Sequence, residues 1–170
     1  MGSESVKADD PMLLNAVGFV RSDYHHYDKV PHRHGGRGWT AGSSEIELLP
    51  QHAAKLGGLD GYSHLIVVYW IHRAREWRMP KDHAKPPQVK LFATRMPKRP
   101  NPIGLSVVEL VSFSREEGRL EVRGLDALDE TPVLDIKPYI PYFDSYQEAT
   151  VPDWLTEHIE RFHEHHDHDH

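Results

Sequence analysis

The stretch Phe92-Ala-Thr-Arg-Met-Pro-Lys-Arg-Pro-Asn-Pro-Ile-Gly-Leu-Ser106 decides how this chain is read. It sets two arginines, a lysine, an asparagine, a glycine and three prolines between residues 89–94 and 103–113, two runs that read as strands. Each proline fixes φ and lacks an amide donor, so Pro97, Pro100 and Pro102 stand outside any central ladder. The residue before each proline is pushed into an extended conformation. The expected product is a stiff loop that holds Arg95, Lys98, Arg99 and Asn101 in a fixed arrangement. Such a loop suits an anion or cofactor site; a proline-rich surface connection is the plainer reading.

Around this loop the chain reads as mainly β. Residues 15–22 and 45–49 predict short strands, and residues 64–72, apolar and β-branched, predict a buried one. Residues 119–125 alternate Leu120 and Val122 with Glu121 and Arg123, as a half-exposed strand does. Residues 131–139 supply one more extended segment. A short helix over 51–59 ends at Gly57 and Gly58. Residues 24–44 read as a long loop, and loops of that length inside a domain are usually functional or mobile. Several strands with irregular connections predict a small closed or nearly closed β-barrel with short helices. The expected organisation is a disordered N-terminus over 1–11, a barrel domain over 12–150, a C-terminal helix over 151–163 and a His/Asp-rich tail over 164–170. Asp153 is the expected helix cap, and Trp154, Leu155, His158, Ile159 and Phe162 form its apolar stripe.

The chain has 170 residues, suiting one domain with a modest core, and no cysteine, which excludes disulfide and thiolate chemistry. No apolar run is long enough to cross a bilayer, and the polar N-terminus lacks the apolar centre of a secretory signal. A cytoplasmic protein with no membrane partner is expected. The net charge of −6 hides an uneven distribution, because the first ten and last twenty residues hold nine of the acids and two of the bases. Residues 72–101 carry nine bases, from Arg73 to Arg99, against Glu76 and Asp82 alone. That excess is either the electrostatic footprint of a phosphate backbone or a solvated basic surface. No Gly-rich strand-to-helix turn of the dinucleotide or Walker type is present. The histidines from His163 to His170 have ligand chemistry, but their terminal position among acids reads as a tail, and no metal site is expected.

A second block, Gly124-Leu-Asp-Ala-Leu-Asp-Glu-Thr-Pro-Val-Leu-Asp-Ile-Lys-Pro-Tyr-Ile-Pro141, carries equally specific signal. With the proline loop, Val17-Gly-Phe-Val-Arg-Ser22 and Tyr62-Ser-His-Leu65, it resembles the TsaA-like family, also called YaeB-like or TrmO, over about residues 14–146. The resemblance implies a β-barrel methyltransferase that uses S-adenosylmethionine, works as a homodimer and methylates the exocyclic amine of a threonylcarbamoyl-modified adenosine beside the tRNA anticodon. It further implies cofactor contacts at Pro31, His32 and Arg33, at His72 and Arg73, at Arg95, Leu105 and Ser106, and at Leu128, Asp129, Glu130 and Thr131. Lys98, Arg99 and Asn101 are the expected nucleic-acid contacts. Arg95 is the expected partner of the cofactor carboxylate or a tRNA phosphate, and Asp129 of the cofactor amine or ribose. No residue is singled out as the base.

Two departures from the family pattern stand out. Asp129-Glu130 replaces the usual Asp-Gly, removing a residue that adopts positive φ easily. Several bacterial relatives carry an additional C-terminal domain; if it grips tRNA, this form is expected to bind more weakly or to use a different substrate. A same-fold methyltransferase acting on a small molecule or another RNA, and a non-catalytic S-adenosylmethionine- or RNA-binding module, are the alternatives.

Overall fold

Alternation of apolar and polar residues generates six strands: β1 (Gly18–Arg21), β2 (Ser43–Leu48), β3 (His64–Trp70), β4 (Ile103–Ser114), β5 (Arg119–Arg123) and β6 (Pro132–Pro138). In the computed structural model, which describes residues 11–27, 30, 42–79 and 85–166, they close into a barrel in the order β1-β2-β5-β4-β3-β6. Every neighbouring pair is antiparallel. Closure leaves no unpaired edge to manage. Val20, Ile46, Leu65, Val67, Val108, Leu120, Val122 and Val133 point inward and are essentially fully buried. Among the described residues no helix is long and apolar enough to cross a membrane.

β3 and β4 carry the features that matter for the site. Leu65, Val67 and Tyr69 face the core, while Ile66, Val68 and Trp70 lie half-buried on the outer face. The register sets Trp70 opposite Ile103, Val68 opposite Leu105 and Ile66 opposite Val107. The outside of this strand pair is therefore apolar, with Leu105 51% exposed. On the inner face Tyr69 lies opposite Gly104, and a Cβ on Gly104 would stand 2.2 Å from the tyrosine ring. Glycine is required there because the ring occupies the space of a side chain.

The structure corrects the strand expected at residues 89–94. Leu91–Ala93 is a single 3-10 turn, and β3 takes β4 and β6 as its two neighbours. The Val89, Ala93 and Thr94 amides donate to the nearby carbonyls of Pro86, Lys90 and Leu91, so these donors are spent in local turns and the barrel closes without the segment. The proline loop is thus flanked by a barrel strand on its C-terminal side only. A four-residue helix α1 (Pro50–Ala53) runs into a 3-10 turn ending at Leu56, and α2 (Pro141–Asp144) follows β6. The C-terminal helix α3 spans Asp153–His166, starting two residues later than the 151–163 expectation and running into the segment read as a tail. Pro152 supplies the first helical carbonyl, accepting from the Leu155 amide, so Asp153 lies inside the first turn, where its charge complements the helix dipole. The N-terminal segment 1–10 lies outside the described residues.

Candidate functional site

At the end of β3 the chain brings two distant segments together. Residues 20–24 are zipped to residues 129–131 by backbone bonds: the Val20 amide donates to the Thr131 carbonyl (2.9 Å), Glu130 to Val20 (2.9 Å) and Asp129 to Tyr24 (2.8 Å). The Asp129 carboxylate reinforces the join, accepting from the Ser22 amide at 3.1 Å and facing His25 Nδ1 at 3.6 Å. Thr131 is buried, its hydroxyl 3.4 Å from His72 Nδ1. Arg73 donates to the His25 carbonyl at 2.7 Å and pairs with Glu76. One rim of the barrel thus collects His72, Arg73, Asp129, Glu130 and Thr131, all expected site residues, together with His25 and Glu76.

Glu130 has φ of 62°, the single non-glycine residue with positive φ among those described. The turn that glycine would form easily is retained, and the glutamate carries a strain of about 1 kcal/mol. Its carboxylate remains exposed, 4.0 Å from Arg21.

Ser106 and Leu128 face the core instead. Ser106 donates to the Asp126 carboxylate, and Tyr69 bonds both at 3.1 Å, forming a hydroxyl–carboxylate network inside the barrel. With 1% of Ser106 and 3% of Leu128 exposed, both side chains are closed to solvent.

Arg95 and Leu105 form a separate patch on the outer face, where the Arg95 guanidinium lies 3.5 Å from the Leu105 carbonyl. Leu105 pairs with Val68, inside β3, whereas His72 lies beyond the end of that strand. Lys98 and Asn101 are exposed. Arg99 turns back onto its own loop, donating to the carbonyls of Thr94 (2.8 Å), Leu91 and Met96 (3.4 Å each). Lys85, Lys90 and Arg78 likewise donate to local carbonyls. Part of the basic excess thus has a structural cause: a segment outside the ladder leaves carbonyls to satisfy, and long cationic side chains satisfy them. Pro31, His32 and Arg33 lie outside the described residues. An open cleft of about 460 Å³ beside Tyr62, Phe113 and Arg115 sits at the opposite end of β3 and β4.

Tyr27 and Glu76 were not singled out from the sequence. Burial, with Glu76 nearby, pushes the Tyr27 phenol up to about 12, and the Arg73 guanidinium holds the Glu76 carboxyl below its ordinary value. Neither belongs to a motif; Glu76 is marked by its pairing with Arg73, and Tyr27 by its burial near that pair. Partial burial, followed by the neighbouring Arg73 charge, moves His72 below the ordinary imidazole value against the opposing pull of Glu130, Glu76 and Asp129. His72 is therefore neutral at neutral pH, and it favours folding above the unfolded imidazole pKa of about 6.5, a contribution lost as pH falls through the lower folded value. An NMR titration is expected to place His72 below 6.5 in the native protein, and Arg73→Ala to raise its midpoint. A midpoint at or above 6.5 would remove the burial argument.

The comparison with known proteins settles the family. The model for the tRNA-methyltransferase O N-terminal domain matches residues 19–145. The chain belongs to the TrmO N-terminal domain family. Among relatives of this TrmO-type chain, a probable S-adenosyl-L-methionine-binding protein of Methanothermobacter thermautotrophicus is 40% identical, over 81% of this chain and 97% of its own length. The tRNA (adenine(37)-N6)-methyltransferase of Escherichia coli is 35% identical over 79% of this chain but 60% of its own length. A probable S-adenosyl-L-methionine-binding protein of Archaeoglobus fulgidus is 43% identical, and this chain spans 38% of it. The crystal structure of TrmO from Pseudomonas aeruginosa superposes with a TM-score of 0.68 at 35% identity, covering 83% of this chain and 62% of that one.

Proposed function

We propose that this chain binds S-adenosylmethionine and, as a cytoplasmic homodimer, methylates the exocyclic amine of a threonylcarbamoyl-modified adenosine beside the tRNA anticodon. The observation that carries the reading is the 35% identity, over 79% of the chain, to the E. coli tRNA (adenine(37)-N6)-methyltransferase. The rim fits the cofactor chemically. Its carboxylates, Asp129 and the exposed Glu130, suit an ammonium, a ribose and a sulfonium, and the exposed Arg95 suits a carboxylate or a tRNA phosphate. When bound, the cofactor supplies an electrophilic methyl group; transfer forms a nitrogen–carbon bond, breaks the carbon–sulfur bond and releases a proton from the amine. Positioning does most of the work in such a displacement. His72, held neutral at the rim, is available to accept the proton. The separation of the rim from the Arg95–Leu105 patch supports a composite site built from two copies, as does the apolar outer face of β3 and β4.

The test is transfer of label from methyl-labelled S-adenosylmethionine to tRNA from cells with or without the threonylcarbamoyl modification. Label entering only the modified tRNA is the expected result. Label entering both overturns the substrate, and cofactor binding without transfer points to a binding module, the activity named for the M. thermautotrophicus relative. Arg95→Ala is expected to weaken binding of the cofactor or of tRNA at least tenfold. The tRNA affinity of the unaltered chain is expected to fall steeply with added salt.

A further inference from the structure

We propose that Phe92 is a stacking platform for an unpaired base of the bound RNA. The inference rests on the tRNA reading above and names a contact that none of the expected site residues makes. Phe92 is 84% exposed, although nothing in its sequence position forces an aromatic ring into water. Its turn is pinned on both sides: the Thr94 hydroxyl donates to the Leu91 carbonyl at 2.7 Å, and Arg99 donates to the carbonyls of Leu91 and Thr94. A ring carried on so fixed a turn does not escape solvent by a small backbone movement. The Arg99 guanidinium stands over the ring, 5.8 Å from its centroid, while most of the ring surface remains open.

Exposed Lys90, Arg95 and Lys98 lie within six residues of Phe92 in the chain, and no acid occurs between Lys85 and Ile103. An exposed aromatic ring among cations is the chemistry of single-stranded nucleic-acid binding: cations track the phosphates and the ring stacks on a base. A cation behind the ring polarises it and adds to the stack. Arg99 is thus assigned to holding the turn and backing the ring, leaving the phosphate contacts to Arg95 and Lys98.

The test compares tRNA binding by the unaltered chain, Phe92→Ala and Phe92→Trp at one fixed salt concentration, with S-adenosylmethionine binding and sedimentation as controls. Phe92→Ala is expected to raise the tRNA Kd about tenfold to a hundredfold and Phe92→Trp to preserve it, with cofactor affinity unchanged. The salt slope of Phe92→Ala is expected to match that of the unaltered chain, because a base stack releases no counterions, whereas Lys98→Ala is expected to flatten it. Tight tRNA binding by Phe92→Ala overturns the inference and leaves the tRNA reading intact. Loss of dimerisation in Phe92→Ala also overturns it, because the ring then packs against a second copy. Failure of the unaltered chain to bind any tRNA overturns the tRNA reading itself.

Discussion

Gly104→Ala is expected to lower the stability of the barrel by about 3 kcal/mol, seen as a fall of about 6–12 °C in Tm. The added methyl would stand 2.2 Å from a carbon of the Tyr69 ring, far inside van der Waals contact. The ring has little room to retreat, because Tyr69 is 5% exposed and its hydroxyl bonds both Ser106 and Asp126. Moving it far enough breaks that network or spreads the β3–β4 pair. If the clash is the cause, Tyr69→Leu in the Gly104→Ala background is expected to lose less stability than the two single changes summed. A Gly104→Ala protein melting within about 2 °C of the unaltered chain would show that the strands give way cheaply.

Asp129→Ala is expected to weaken S-adenosylmethionine binding about tenfold to a hundredfold, measured by calorimetric titration. Two losses combine. The Ser22 amide loses its acceptor, loosening the join between residues 20–24 and the turn at 129–131, and the rim loses an anionic group. Asp129→Asn separates them, because the amide oxygen still accepts from Ser22 while the charge is gone. If charge dominates, Asn is expected to bind as poorly as Ala while melting close to the unaltered chain. Unchanged affinity in both variants would remove Asp129 from the cofactor site.

Several features of the fold were legible along the chain. Leu120 and Val122 alternating with charged neighbours marked β5, and the prolines around the basic loop placed it outside the ladder. That rule does not exclude the strand expected at residues 89–94, because the segment itself holds no proline; its amides turn onto nearby carbonyls instead, which composition does not reveal. Glu130 was legible as a departure from the family pattern, but its adoption of positive φ was not, since the two backbone bonds that Val20 makes with Glu130 and Thr131 hold the Leu128–Thr131 turn despite the side chain. Arg99 looked equivalent to Arg95 in sequence. Its carbonyl contacts, all within eight residues, depend on a loop path that composition does not specify.

Periodicity and proline placement alone determined a strand-rich chain with a rigid cationic loop, because side-chain alternation and missing amide donors are local properties. Tertiary structure decided which residues share a rim. Closing β6 onto β1 and β3 carries Asp129 and Thr131 to Ser22 and His72, more than fifty residues distant in sequence. It also turned Ser106 inward and Leu105 outward, because the pleat of β4 sends neighbouring side chains to opposite faces and only the register with β3 selects which one meets the core.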